Sequence, residues 1–136
     1  MKFLNTYLTF FLTLLFSIQS FATIVTSNGT GGGSWDDASS WSSAEVPGCV
    51  DTISILAGDV IDIDTQQDYE ACDAMVILIY GTLNFPDNGP KLRLPCNSRI
   101  DGFAGGSITA PGVDNSNKIF TCGDVVWDSM EDDLAG

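Results

Sequence analysis

Histidine is absent from the 136-residue sequence, and basic residues are scarce, with five Lys and Arg against eighteen Asp and Glu. Without histidine the chain has no Ser-His-Asp or Cys-His catalytic arrangement, and it lacks the commonest protein ligand of zinc and copper. The formal net charge of −13 disfavours nucleic acids and anionic lipid surfaces as partners, because non-specific binding to either needs clusters of Lys and Arg. These absences exclude histidine-dependent catalysis and most zinc and copper sites, and they disfavour nucleic-acid binding.

Long apolar runs are also missing after the first 22 residues. Within that segment Lys2 precedes a mostly apolar run over residues 8–16, and the small residues Ser20 and Ala22 follow it. This pattern is typical of a secretory signal peptide cleaved after Ala22, and the run is too short for a comfortable membrane span. The sequence therefore predicts a signal peptide over residues 1–22, export to the extracellular space or cell surface, and no membrane span after cleavage.

Sustained helical periodicity is missing as well, and a repeat of cysteine and glycine takes its place. Cysteine recurs every 23 to 26 residues, and a glycine lies nine residues after three of the cysteines, at Gly58, Gly81 and Gly105. Self-similarity at this period is typical of solenoids. Each repeat contains a strand-like run, a glycine corner and a second strand-like run with apolar residues at every other position.

The alternation predicts which residues face the interior. In three units the inward residues lie two and four positions after the glycine; they are Leu83 with Phe85, Ile108 with Ala110, and Val125 with Trp127. In the first unit Ile61 and Ile63 lie three and five positions after Gly58, which we interpret as a strand bulge. We therefore predict an all-β fold, a short right-handed β-helix (solenoid) of three to four rungs over residues 23–127, with a β-sandwich as the alternative.

Residues 27–34 are predicted to form a loop, and residues 128–136 an acidic tail or a linker to a downstream region.

The four cysteines are even in number, and an exported chain passes through an oxidising compartment. Two disulfides among Cys49, Cys72, Cys96 and Cys122 are therefore expected. Three pairings are possible, and we favour Cys49 with Cys72 and Cys96 with Cys122. A metal site is the competing interpretation, although the spacing contains no CxxC pair.

Two tryptophans six residues apart, Trp35 and Trp41, lie on a segment rich in Ser and Asp. We expect them to form an amino-terminal cap over the first rung, because the open end of a solenoid exposes unpaired strand edges. The alternative is a ligand platform on which sugar rings stack. Among the acids, Asp59, Asp62 and Asp64 are weak candidates for a calcium site, and Asp62 and Asp64 as a pair are candidates for glycosidase chemistry. No EF-hand or nonapeptide motif accompanies them.

The chain resembles the amino-terminal β-solenoid module of secreted bacterial surface proteins, either adhesin-like or autotransporter-like, many of which use type IX secretion. The segments that carry this resemblance are Gly31-Gly32-Gly33-Ser34-Trp35, Trp41, Val46-Pro47-Gly48, Asp51-Thr52-Ile53-Ser54-Ile55, Gly81-Thr82-Leu83-Asn84-Phe85, Lys91-Leu92-Arg93-Leu94 and Asn115-Ser116-Asn117-Lys118-Ile119. The likeness spans residues 27–127 and implies a fold and an extracellular location rather than a reaction. No sorting domain is recognised after Trp127, so the resemblance implies an amino-terminal fragment or a truncated member.

The sequence thus favours a secreted or cell-surface module with a structural or adhesive role and no catalytic activity or cofactor. Glycans or other surface proteins are the expected partners. The alternative is a carbohydrate-binding or carbohydrate-degrading β-helix module, assisted by calcium. The position of the two tryptophans distinguishes them, because a packed pair favours the structural role and an exposed pair favours sugar binding.

Overall fold

Parallel β-sheets wind the chain into a solenoid. The computed structural model describes residues 23–50, 52–111 and 116–129, so the predicted signal peptide and all but two residues of the predicted tail lie outside it. In chain order the strands are β1 (Ile24–Thr26), β2 (Gly32–Ser34), β3 (Thr52–Ile55), β4 (Val60–Asp62), β5 (Gln67–Asp68), β6 (Val76–Ile79), β7 (Thr82–Asn84), β8 (Lys91–Leu94), β9 (Arg99–Gly102), β10 (Ser107–Thr109), β11 (Lys118–Thr121) and β12 (Asp124–Asp128). A single 3-10 turn, Ala38–Ser40, is the only helical element in the described residues.

Successive turns of the chain stack their strands in register. The first sheet has the order β1-β3-β6-β9, the second β2-β4-β7-β10 and the third β5-β8-β11-β12. Pairing between turns is parallel throughout, and paired residues lie 22 to 28 positions apart in the sequence. The described residues therefore form a β-solenoid of about four turns. This confirms the predicted fold, and the β-sandwich alternative is wrong.

Apolar side chains fill the interior in columns that run from turn to turn. One column contains Val25, Ile53, Ile77 and Ile100, and another contains Ile61, Leu83 and Ile108. Every second side chain of a strand points to the same face, so residues that pair in register share the interior. Most of these side chains are almost fully buried, and burying each large aliphatic one stabilises the fold by about 1.5–3 kcal/mol.

The corner between the first and second sheets requires glycine where one turn touches the next. A Cβ atom on Gly81 would lie 2.3 Å from the carbonyl oxygen of Leu56 and 2.4 Å from that of Asp59. On Gly106 it would lie 2.0 Å from the carbonyl oxygen of Ile79. Neither glycine has a positive φ, so close backbone approach explains both residues, and conformational freedom is not needed.

The one-residue offset of Ile61 and Ile63 in the first predicted unit is accommodated in the corner before β4. Pairing aligns Ile61 with Leu83, so Asp59 takes the place that Gly81 holds in the next turn. Four residues, 56–59, connect β3 to β4, whereas two, 80–81, connect β6 to β7. The predicted strand bulge is wrong, because an exposed corner accommodates extra residues without disturbing the strand register.

The first turn contains a strand where the sequence predicts a loop. Residues 27–34, predicted to form a loop, contain β2, which pairs with β4. Gly32 lies so close to that neighbour that a Cβ atom would be 2.1 Å from the carbonyl oxygen of Val60. A strand rich in glycine carries no hydrophobic alternation, which explains why the sequence pattern did not reveal it.

The last predicted unit folds back as a hairpin, because β12 pairs antiparallel with β11. Trp127 is 2% exposed, as predicted for an inward residue, but Val125 is 47% exposed and that part of the prediction is wrong. The register shifts between Ile119 and Phe120, so that Ile119 pairs with Trp127 and Phe120 with Val125. Val126 is then the extra residue of a bulge, which breaks the alternation on this strand.

Two disulfides join neighbouring turns at the corner between the third and first sheets. Cys49 bonds to Cys72 and Cys96 to Cys122, with Cα atoms 5.3 Å and 4.2 Å apart. All four cysteines are thereby paired, as predicted, and no thiol remains for a metal site. In the chain-entropy model, closing a loop of this size is worth about 3 kcal/mol.

Candidate functional site

Trp35, Trp41 and Tyr69 form one aromatic cluster at the amino-terminal end of the solenoid. The two indoles are 0% and 2% exposed, and their rings meet edge to face with centroids 5.2 Å apart. The indole N–H of Trp35 donates to the hydroxyl of Tyr69 at 2.8 Å, and that hydroxyl donates to the carbonyl of Pro47 at 2.8 Å. The indole N–H of Trp41 donates to the carbonyl of Trp35 at 2.9 Å. Burial raises the pKa of the Tyr69 phenol, which keeps it a neutral donor.

The segment that carries Trp41 also covers the free edge of β1. Trp41 forms an antiparallel bridge with Ser27, and the amides of Asn28 and Ser42 donate to Ser40 and Thr26 across it, each at 2.9 Å. Stacking on a sugar requires an exposed ring face, and neither indole offers one. The geometry therefore favours the cap over the ligand platform that the sequence left open.

Asp59 lies under the corner that joins β1 to β2 and is 2% exposed. Its carboxylate accepts from the backbone N–H groups of Gly29 and Gly31, each at 2.8 Å, and from the hydroxyl of Ser27. The Ser27 hydroxyl in turn accepts from the backbone N–H of Leu56 at 2.8 Å. Burial opposes ionisation, but the three hydrogen bonds together outweigh it and lower the pKa of this carboxyl. The carboxylate thus fastens the first turn to the second.

Asp62 and Asp64 bond to other turns of the solenoid. Asp62 accepts from the amide of Asn84 at 2.7 Å, and the Asn84 carbonyl oxygen accepts from the hydroxyl of Thr109 at 2.8 Å. Asp64 accepts from the hydroxyl of Ser34 at 3.0 Å. Across residues 23–50, 52–111 and 116–129, no three His, Cys, Asp or Glu side chains are grouped to hold a metal ion. The structure therefore does not bring the three candidate aspartates together as a calcium site.

Sequence reasoning missed an aromatic stack on the outer surface. Tyr80 and Phe103 directly follow β6 and β9, and their rings lie nearly parallel with centroids 4.3 Å apart. The amide of Tyr80 donates to the carbonyl of Ile55, and the amide of Phe103 donates to the carbonyl of Ile79, so the three turns are in the same register here. Leu56, which follows Ile55 at the end of β3, therefore occupies the position equivalent to Tyr80 and Phe103. Phe103 remains 39% exposed. Once the repeat is aligned, an apolar residue after each first-sheet strand is the signal that reveals this column.

The carboxy-terminal end of the solenoid contains a cavity of about 440 Å³. Its apolar lining comes from Ile79, Ile100, Ile108, Val126 and Trp127, and Arg99 also borders it. The indole of Trp127 stacks on Phe85 with centroids 5.2 Å apart and contributes to the wall of the cavity. The sequence does not predict the cavity, because it depends on how β12 folds back.

The fold and these contacts define the class of protein, a β-solenoid with two disulfides that link its turns. Comparisons with protein-family models, with curated proteins and with solved structures give no significant match. In the part of the chain that the structure describes, no helix has the length and hydropathy of a membrane span.

Proposed function

We propose that the protein is a secreted or cell-surface module with a structural or adhesive role and no catalytic activity. One observation carries the proposal: the side chains that were the main candidates for ligand binding or catalysis are hydrogen-bonded within the solenoid itself. The two tryptophans and Tyr69 bond to each other and to Pro47, and Asp59 accepts three bonds from the first turn. A catalytic or metal-binding group must instead be directed at its ligand.

The disulfides support the extracellular part of the proposal. Cytosolic proteins rarely keep disulfides, whereas small exported domains use them to supplement a limited core. Export would follow from the signal peptide over residues 1–22. The resemblance to bacterial surface modules extends the proposal to type IX secretion and to adhesion between surfaces.

Fractionation of expressing cells tests the location. We expect the protein outside the cytoplasm, with Thr23 as its first residue on amino-terminal sequencing and no free thiol when it is denatured without reductant. A variant that lacks residues 1–22 is the control and should stay in the cytoplasm. Cytoplasmic full-length protein with four reactive thiols would contradict the proposal.

A second candidate function, carbohydrate binding, is favoured by the stack of the half-buried Tyr80 on the exposed Phe103. Aromatic faces on an outer surface are suited to sugar rings. A glycan array with and without calcium tests it, with Phe103→Ala and Leu56→Ala as matched variants of one column. Binding that is lost in the first variant and kept in the second supports this candidate, and an empty array for the wild type eliminates it.

A further inference from the structure

The two ends of the solenoid are finished differently. At the amino-terminal end, residues 40–42 cover the edge of β1, and Trp35 and Trp41 close the interior. At the other end β12 covers β11, but among the described strands none pairs with the outer edge of β9 or β10. Unpaired strand edges are templates for pairing with another chain.

The uncovered end is also apolar. The open edges border the cavity lined by Ile100, Ile108 and Val126. Phe103, Val125 and Val126 at this end are 39%, 47% and 50% exposed. An apolar patch next to unpaired backbone groups is characteristic of an interaction surface.

The backbone of β9 restricts how another strand can add to it. The amides of Arg99 and Phe103 donate to Met75 and Ile79 of the preceding turn, so the odd-numbered residues of this segment bond toward β6. The N–H and C=O groups of Ile100 and Gly102 consequently point away from β6, to the outer edge of β9. An added antiparallel strand must exchange its hydrogen bonds with these two residues.

The side chains of β9 select one occupant, because the run Arg99-Ile100-Asp101 is complementary to itself. Arg99 and Asp101 lie on the outer face, where the guanidinium Nε is 3.0 Å from a carboxylate oxygen, while Ile100 packs against the core. A twofold axis at Ile100 places Arg99 of each copy opposite Asp101 of the other, and it pairs Ile100 with Ile100 over the cavity. A register centred on Asp101 would instead oppose two carboxylates.

We propose that a second copy of this chain docks on the edge of β9, so that the β9 strands of two molecules pair antiparallel about Ile100. The net charge of −13 makes two copies repel in general, so a self-contact needs a site where opposite charges meet. Strand β9 supplies one of the chain's five basic residues at that site. This inference does not rest on the proposed surface role, since it concerns only the solenoid end.

Charge exchange on β9 tests the proposal with the purified, disulfide-bonded protein. Sedimentation equilibrium should show a concentration-dependent dimer for the wild type. Arg99→Asp and Asp101→Arg should each raise the dimer dissociation constant at least about tenfold, because each places like charges opposite one another twice per interface. An equimolar mixture of the two variants should dimerise again, because all-acidic and all-basic strands are complementary.

Asp73→Arg, at an exposed position away from β9, changes the net charge as Asp101→Arg does and should leave the dimer intact. Unchanged circular dichroism and melting temperature show that each variant is folded. A wild type that is monomeric at every concentration overturns the proposal. A dimer that survives both single variants, or a mixture that stays monomeric, also overturns it.

Discussion

Asp59 illustrates how the solenoid uses a polar residue in its core. Its position aligns with Gly81 and Gly106 in the following turns, where no side chain fits. In the second turn a carboxylate occupies this position and reaches back to the amides of Gly29 and Gly31. The sequence identified Asp59 as a polar candidate, but its partners are 28 and 30 residues away and follow only from the stacking of turns.

Asp59→Asn should lower the free energy of unfolding at neutral pH by about 1–3 kcal/mol, because the amide cannot accept all three bonds. The lowered pKa of Asp59 means that its contribution is present above the unfolded-state pKa of about 3.9 and is lost as the pH falls through the folded-state pKa. Urea unfolding of both proteins from neutral to acidic pH should therefore show a difference that shrinks in acid. The exposed Asp64→Asn is the control and should change stability by less than about 0.5 kcal/mol. A difference that does not depend on pH would show that the carboxylate charge is not what matters.

At the scale of elements, the inward alternation of the middle turns could be read directly from the sequence. Ile61, Ile63, Leu83 and Phe85 are all fully buried, as period two predicts. The antiparallel pairing of β12 with β11 could not be predicted from the sequence. It depends on a two-residue turn in which Cys122 and Gly123 both have positive φ, 56° and 82°. Two such residues make the tight turn of an antiparallel hairpin, and Cys-Gly lacks the Asn or Asp that usually signals it.

Gly106→Ala should destabilise the solenoid by about 1–3 kcal/mol or more, because the new methyl group would overlap the backbone of Ile79. Gly102→Ala in the same turn is the matched control. A methyl group on Gly102 would have no atom within 4 Å apart from those of its two neighbours in the chain, and the φ of Gly102 is not positive. The stability of this variant should therefore stay within about 0.5 kcal/mol of the wild type. Thermal unfolding followed by circular dichroism compares the two. Equal melting temperatures would show that the corner relaxes freely and that close approach does not require glycine.

At the scale of the whole molecule, the stacked architecture and the disulfide pairing could be predicted from the sequence. The structure of the two ends of the solenoid could be predicted only in part. The period of the cysteines reflects the length of one turn, so residues one period apart meet in space. The Trp35 and Trp41 cap was expected from the sequence, whereas the outer β9 edge, which no other strand in residues 23–50, 52–111 and 116–129 covers, depends on which sheet β12 joins. Sequence periodicity describes the repeating interior, and the ends are where the repeat stops.

Removing the ring of Trp35 tests the amino-terminal cap. Trp35→Ala should lower the free energy of unfolding by about 3–5 kcal/mol, since a fully buried aromatic side chain is lost. Trp35→Phe keeps most of the packing and loses the bond to Tyr69, so its loss should be smaller. Calorimetry of the two variants measures the order. Equal melting temperatures for Trp35→Ala and the wild type would show that the cluster does not stabilise this end.

The placement of the two disulfides has a mechanical consequence. The first encloses the second turn and the second encloses the fourth, while the third turn has no covalent closure. When the protein is stretched between its termini, the loops between the bonded cysteines, with separations of 23 and 26 residues, cannot lengthen. Tension is then borne by the third turn and the terminal segments. Reduction of the two disulfides would allow the residues between the bonded cysteines to extend as well.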